Sequence, residues 1–186
     1  MSQLDIQGNR SGRHHSSSYI FKRARWEISR ILFRLTPTPL FELRSTILRM
    51  NGAQIGKDVH IHPGAIISYP WNLQIGDESS IGERAFIDNH GDVTIGQRAT
   101  ISQCSHLCSG THDYTDPTMP LLMPPINIGD DAWVCAGCFI GPGVNIGTGA
   151  VIGARSIVVK NVAPWMVAVG HPAKEIKRRE LKEKTT

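Results

Sequence analysis

The sequence has no long apolar run and no secretory signal, so neither a membrane span nor export is expected, and the protein is placed in the cytoplasm. Cysteine is sparse, with only Cys104, Cys108, Cys135 and Cys138, and without export these are not expected to pair. Their CxxxC and CxxC spacings superficially suit zinc. Each, however, falls where a neighbouring repeat carries Gly, Ser, Ala or another small residue, so no metal is expected. A strong charge of one sign is also missing: the net is +4, and the positive excess lies at the two ends and not in the hexad region. That distribution argues against a nucleic-acid footprint and for terminal contacts with anionic ligands or lipid surfaces. No serine or cysteine nucleophile stands beside a base, so chemistry through a covalent enzyme intermediate is not expected.

What the sequence does have is a period of six. Ile128, Val134, Ile140, Ile146, Ile152 and Val158 recur at that interval, and four of the six are followed by Gly. Six fits neither a helix nor an alternating strand; it fits a parallel β-helix in which three hexads make one triangular coil. The aliphatic fills the interior, Gly permits a tight corner, and the fifth position is small, as at Ala132, Cys138, Ala150 and Ser156. The same phase runs through Ile55, Ile61 and Ile67, then Ile75, Ile81 and Ile87, then Ile95, Ile101 and Leu107, with Thr111 as the last small position before the break. About five coils are therefore expected over 53–163.

The intervals from Ile67 to Ile75 and from Ile87 to Ile95 are eight residues, and Leu107 to Ile128 is twenty-one. All three insertions fall at one corner. Stacked strands lie about 4.8 Å apart, so Trp71, the Asn89–His90 pair and the loop at about 109–126 carrying His112 should line up along one edge. Repeat proteins concentrate function where the repeat is interrupted. Around the prism, residues 1–18 are polar and Ser-rich and read as a disordered arm. Residues 19–52 form an amphipathic helical segment. Its stripe of Ile20, Ala24, Ile28, Ile31, Leu32 and Leu35 is expected to cap the prism or, alternatively, to rest on an anionic membrane; Trp26 and Phe33 lie off the stripe. Pro37 and Pro39 end the first helix, and a second runs from about Phe41 to Met50. Residues 164–186 form an extension with a short helix.

The runs Ile128-Gly-Asp-Asp-Ala-Trp133, Pro142-Gly-Val-Asn-Ile-Gly147, Val151 to Lys160 and Gly170-His-Pro-Ala-Lys174 resemble those of the hexapeptide-repeat O-acetyltransferases. Pro70-Trp-Asn-Leu73 and Ser109-Gly-Thr-His-Asp-Tyr114 resemble the colanic-acid-type exopolysaccharide branch. The resemblance covers residues 19 to 178. It implies a left-handed β-helix, a homotrimer with sites between subunits, acetyl-CoA as donor and a sugar hydroxyl as acceptor. It makes His112 the general base: an alcohol must lose its proton as it attacks a thioester, and imidazole titrates near neutrality. Asp113 or a backbone carbonyl is expected to orient it. Asn89 matches a residue that contacts acceptor or acetyl group. Trp133, Ala136, Ala154, Val159, Lys160, Lys174 and Lys177 match donor-contact positions, the lysines as phosphate partners. Two rivals remain: a zinc hydratase of the carbonic-anhydrase type using His90, His106 and His112, and a non-catalytic trimeric scaffold.

Overall fold

The structure is a computed structural model that describes residues 4–11 and 16–182. Three parallel sheets enclose a triangular prism. The first stacks Gln54–Ile55, Leu73–Ile75, Val93–Ile95, Ile126–Ile128 and Asn145–Ile146. The second stacks His60–Ile61, Ser80–Ile81, Thr100–Ile101, Trp133–Val134, Val151–Ile152 and Met166–Gly170. The third stacks Ile66–Ile67, Phe86–Asp88, His106–Cys108, Phe139–Ile140 and Ile157–Val158. The expected hexad aliphatics meet in register, as in Ile55↔Ile75↔Ile95↔Ile128↔Ile146, and are buried. Five coils are complete, and a sixth begins with the Ile146↔Val162 bridge and the pairing of Val151 with Val167.

The recurrent glycine has a different physical reason from the one expected. A Cβ on Gly129 would sit 2.5 Å from the Thr148 nitrogen, and one on Gly147 would sit 2.4 Å from the Pro164 nitrogen. Here glycine is required because the next coil's backbone passes directly over it. The left-handed corner position is taken two residues later, largely by other residues: Asp58, Glu78, Arg98 and Asp131 all have φ between 53° and 60°. Buried serines at the small interior positions bond along the prism, Ser79 Oγ to Gly96 O at 2.7 Å and Ser105 Oγ to Cys135 O at 2.8 Å. Thr111 departs from the expectation. It is exposed, because the chain leaves the prism after Leu107.

Three helices precede the coils: α1 (Ile6–Ser11), α2 (Ser17–Leu35) and α3 (Phe41–Met50). The arm expected over 1–18 falls partly outside the described residues. Of the rest, 6–11 are helical and tied to the long loop, with Asp5 N donating to Pro117 O and Asn9 Nδ2 to Met119 O at 2.8 Å. Helix α2 packs on the side of the prism, but with the face opposite to the one expected. The residues it buries are Trp26 and Phe33, whose rings meet edge to face at 6.0 Å, while the whole predicted stripe from Ile20 to Leu35 is exposed. Helix α3 covers the first coil, and its buried Arg44 donates to the carbonyls of Ile61, Thr36, Pro37 and Thr38. At the other end the expected short helix is instead an antiparallel hairpin of 166–170 with Ala173–Arg178. Val167 pairs with Val151 and extends the second sheet, and the Lys/Glu-rich return strand forms a charged edge that discourages further pairing. Among the described residues, no helix is long and apolar enough to cross a membrane.

Candidate active site

The corner between the third and first sheets carries every insertion. Tyr69–Asn72 leaves it in the first coil, Asn89–Asp92 in the second, and in the third a two-stranded arm pairs Thr111–His112 with Leu121–Leu122. The stacked segments bind one another. Asn89 Oδ1 accepts from Tyr69 N at 3.0 Å, its Nδ2 donates to Tyr69 O at 2.6 Å, and Asn72 Nδ2 donates to His90 O at 2.8 Å. Gly91 N donates to Ser109 Oγ at 2.9 Å, and the Tyr69 and His90 rings lie 4.8 Å apart. Burial first, then its bond with Tyr19, pushes the Tyr69 hydroxyl pKa up to about 12, so it stays a phenol. Trp71, Asn89, His90 and the His112 arm thus lie along one edge. Asn89 itself is buried, with its amide spent on the Tyr69 backbone; the geometry makes it the clamp of this corner.

His112 is half-buried on the arm, and its Nδ1 lies 2.6 Å from Met119 O. A carbonyl only accepts, so Nδ1 carries the proton and Nε2 presents its lone pair. Met119 aims that carbonyl from a left-handed φ of 46°, unusual for a side chain of its size. Asp113 does not orient the ring: its Oδ1 accepts from Thr115 N at 2.9 Å and Thr115 Oγ1 at 2.6 Å, which hold its carboxyl below the usual range. The carbonyl named as the alternative does.

A cluster centred on Asp88, which the sequence did not single out, lies beside this edge. Asp88 stacks on Cys108 in register and accepts from Ser68 Oγ at 3.2 Å. His90 Nε2 lies 3.5 Å and His106 Nε2 4.0 Å from its carboxylate. Ligand atoms of Asp88, His106 and Cys108 fall within 4.8 Å of one another, so these three have the spacing to hold a cation. Burial pushes the Cys108 thiol up and the His106 imidazolium down, so both rest neutral. Of the histidines proposed for a zinc hydratase, His90 and His106 gather at Asp88, whereas His112 turns to Met119 and is not in the group. The signal was available in the hexad register, because Ser68, Asp88 and Cys108 each follow the third-face aliphatic of successive coils.

The donor-like residues lie mostly elsewhere. Trp133 stands on the outer surface of the second sheet, 45% exposed, with Nε1 donating to Ser102 Oγ at 2.9 Å. Its column continues through Val151 and Val167 to Lys177. The adjoining column passes the small residues Ser102, Cys135 and Gly153 to Val169, which pairs with Lys174. Ala136 and Ala154 stack at the corner between the second and third sheets, with Arg155 N donating to Ala136 O. Val159 and Lys160 are exposed and follow the third sheet, so they share the corner of Asn89 and His112. In a triangular prism that corner is opposite the second face. One chain therefore does not bring His112 and Trp133 together.

Residues 122–142 match a family model described as the hexapeptide repeat of succinyl-transferase. Over 154 residues, 83% of this chain and 85% of the relative, the sequence is 40% identical to the Escherichia coli (strain K12) protein named "Putative colanic acid biosynthesis acetyltransferase WcaF". It is 31% identical over 149 residues to the galactoside O-acetyltransferase of the same organism, covering 77% of this chain and 71% of the relative. Among solved structures, a galactoside acetyltransferase in complex with coenzyme A superposes with a TM-score of 0.82 at 26% identity, over 96% of this chain and 92% of that one.

Proposed function

The chain belongs to the hexapeptide-repeat acetyltransferases, and from that membership we propose how its residues carry the reaction. It is an acetyl-CoA-dependent O-acetyltransferase, its relatives including a galactoside O-acetyltransferase and its structural neighbours a coenzyme A complex. The acceptor is a saccharide; a role in exopolysaccharide assembly is our extension from the colanic-acid relative.

His112 is the general base. The observation that carries this is the Nδ1–Met119 O bond, which fixes the tautomer and leaves Nε2 as acceptor. Nε2 takes the proton of the sugar hydroxyl as its oxygen bonds to the acetyl carbonyl carbon. The C–S bond then breaks, and the same proton passes to the departing thiolate. Asn89 acts as a positioning residue that locks the corner from which the arm springs. We place the extended pantetheine arm beside Trp133 along the column of small residues Ser102, Cys135 and Gly153, with Lys174 and Lys177 at its end for phosphate. Ala136 and Ala154 keep the adjacent corner low.

Because the base and the Trp133 face lie on opposite sides of the prism, the working unit is a cyclic oligomer, which we take as the trimer. In it the arm of one subunit, tipped by the 85% exposed Tyr114, meets the second face of its neighbour. The test is His112→Ala. Transfer to a saccharide acceptor is expected to fall about 10²- to 10⁴-fold while calorimetric CoA binding is unchanged; wild-type turnover in the variant removes His112 from the mechanism.

A further inference from the structure

We propose that the outward face of α2 is a docking surface for an anionic lipid bilayer and that it holds the His112 corner beside that bilayer. At about 100° per residue, Ile20, Phe21, Ala24, Ile28, Ile31, Leu32 and Leu35 occupy one arc of roughly 120°. All seven are exposed. Trp26 and Phe33, which seat the helix on the protein, lie on the opposite side. The arc is thus aimed away from the prism, and none of the described residues covers it.

Its borders are cationic. Arg25 flanks one edge and Arg30 and Arg34 the other, while Lys22 stands further round towards the protein side and Arg23 turns to the protein, donating to Ser68 O; the helix's single carboxylate, Glu27, pairs with Arg23 and Arg30. Five cations against one anion give α2 a net +4, whereas the coil region of residues 53–173 is net −5 and residues 174–186 are net +3. A second copy of the face would set these cations against each other, whereas lipid phosphates complement them. An apolar arc bordered by Lys and Arg is the pattern of a helix lying in the interface of a bilayer.

The inner side of α2 grips the functional corner. Trp26 Nε1 donates to Ile67 O at 3.1 Å, Arg23 Nη1 donates to Ser68 O at 2.8 Å, and the Tyr19 ring lies 6.2 Å from that of Trp71. The same edge leads through Tyr69 and His90 to the His112 arm two coils on, about 10 Å along the prism. The value of placing His112 there rests on the O-acetyltransferase reading; the docking itself does not.

The test is flotation of the full chain with phosphatidylcholine vesicles that contain or lack phosphatidylglycerol. Binding to the anionic vesicles is expected, weakened about tenfold or more in Ile28→Glu/Leu32→Glu, whose sites are exposed and whose melting temperature and CoA affinity should match wild type. Hydrogen exchange with vesicles present should slow over 17–35 and 69–72 but not in the hairpin at 173–178. Failure of the wild type to bind anionic vesicles, protection centred on the hairpin, or a changed oligomer mass in the double variant, which would assign the face to a second copy, overturns the proposal. None of these readouts needs acetyl transfer, so the docking and the enzyme assignment fail separately.

Discussion

The contact on which the proposed role of His112 rests is made to a backbone carbonyl, and this separates it from its neighbour in sequence. Asp113→Ala should lower turnover less than about tenfold, against a loss of about 10²-fold or more for His112→Ala, because the carboxylate serves Thr115 and not the ring. Steady-state rates on one acceptor decide this, and equal losses would mean that the aspartate orients the base. His106 offers a second residue-scale test. Its ring is stacked on Phe86 at 4.6 Å and meets Phe139 edge to face, and burial holds its pKa below the ordinary 6.5 in the folded state. The unfolded chain therefore takes up this proton first. The stability associated with neutral His106 is full above pH 6.5 and is lost as pH falls through the lower folded value. His106→Phe keeps an aromatic in the ladder and removes the titration, so denaturant melts should show a shallower loss of stability on acidification; an unchanged slope would place the pH sensitivity elsewhere.

Among the elements, α3 ties the α2–α3 connection to the prism through Arg44. Its guanidinium gathers the carbonyls of Thr36, Pro37 and Thr38 from the α2–α3 connection and of Ile61 from the first coil. Arg44→Leu leaves those acceptors without their donor and should cost about 2–4 kcal/mol in chemical denaturation; a variant as stable as wild type would show that the helices are held by Trp26, Phe33, Leu48 and Arg49 without it. The coil register was fully legible in the sequence, since a period of six leaves one assignment for Ile55 through Val158. So was the stacking of the insertions, which follows from their common corner. The direction of α2 was not. Periodicity shows that Ile20 to Leu35 share a face, but two large aromatics on the other face, Trp26 and Phe33, bury more per residue and took the protein side. The tail misled for a related reason: alternating Lys, Glu and Ile suits a charged edge strand as well as a helix, and the free edge at Val151 decided between them. Asp88 and Met119 were missed because each acts through a partner distant in sequence or through its backbone.

For the molecule as a whole, the decisive fact is that His112 and Trp133 belong to opposite sides of one prism, so the account requires two chains per site. The most direct measurement is activity after two inactive variants, His112→Ala and Trp133→Glu, are unfolded together, mixed in equal amounts and refolded. In mixed trimers one interface of three pairs an intact His112 with an intact second face, and about a quarter of wild-type activity should return. If both variants are inactive alone and the mixed trimers stay inactive, His112 and the Trp133 face do not form a site across subunits, and the account is wrong.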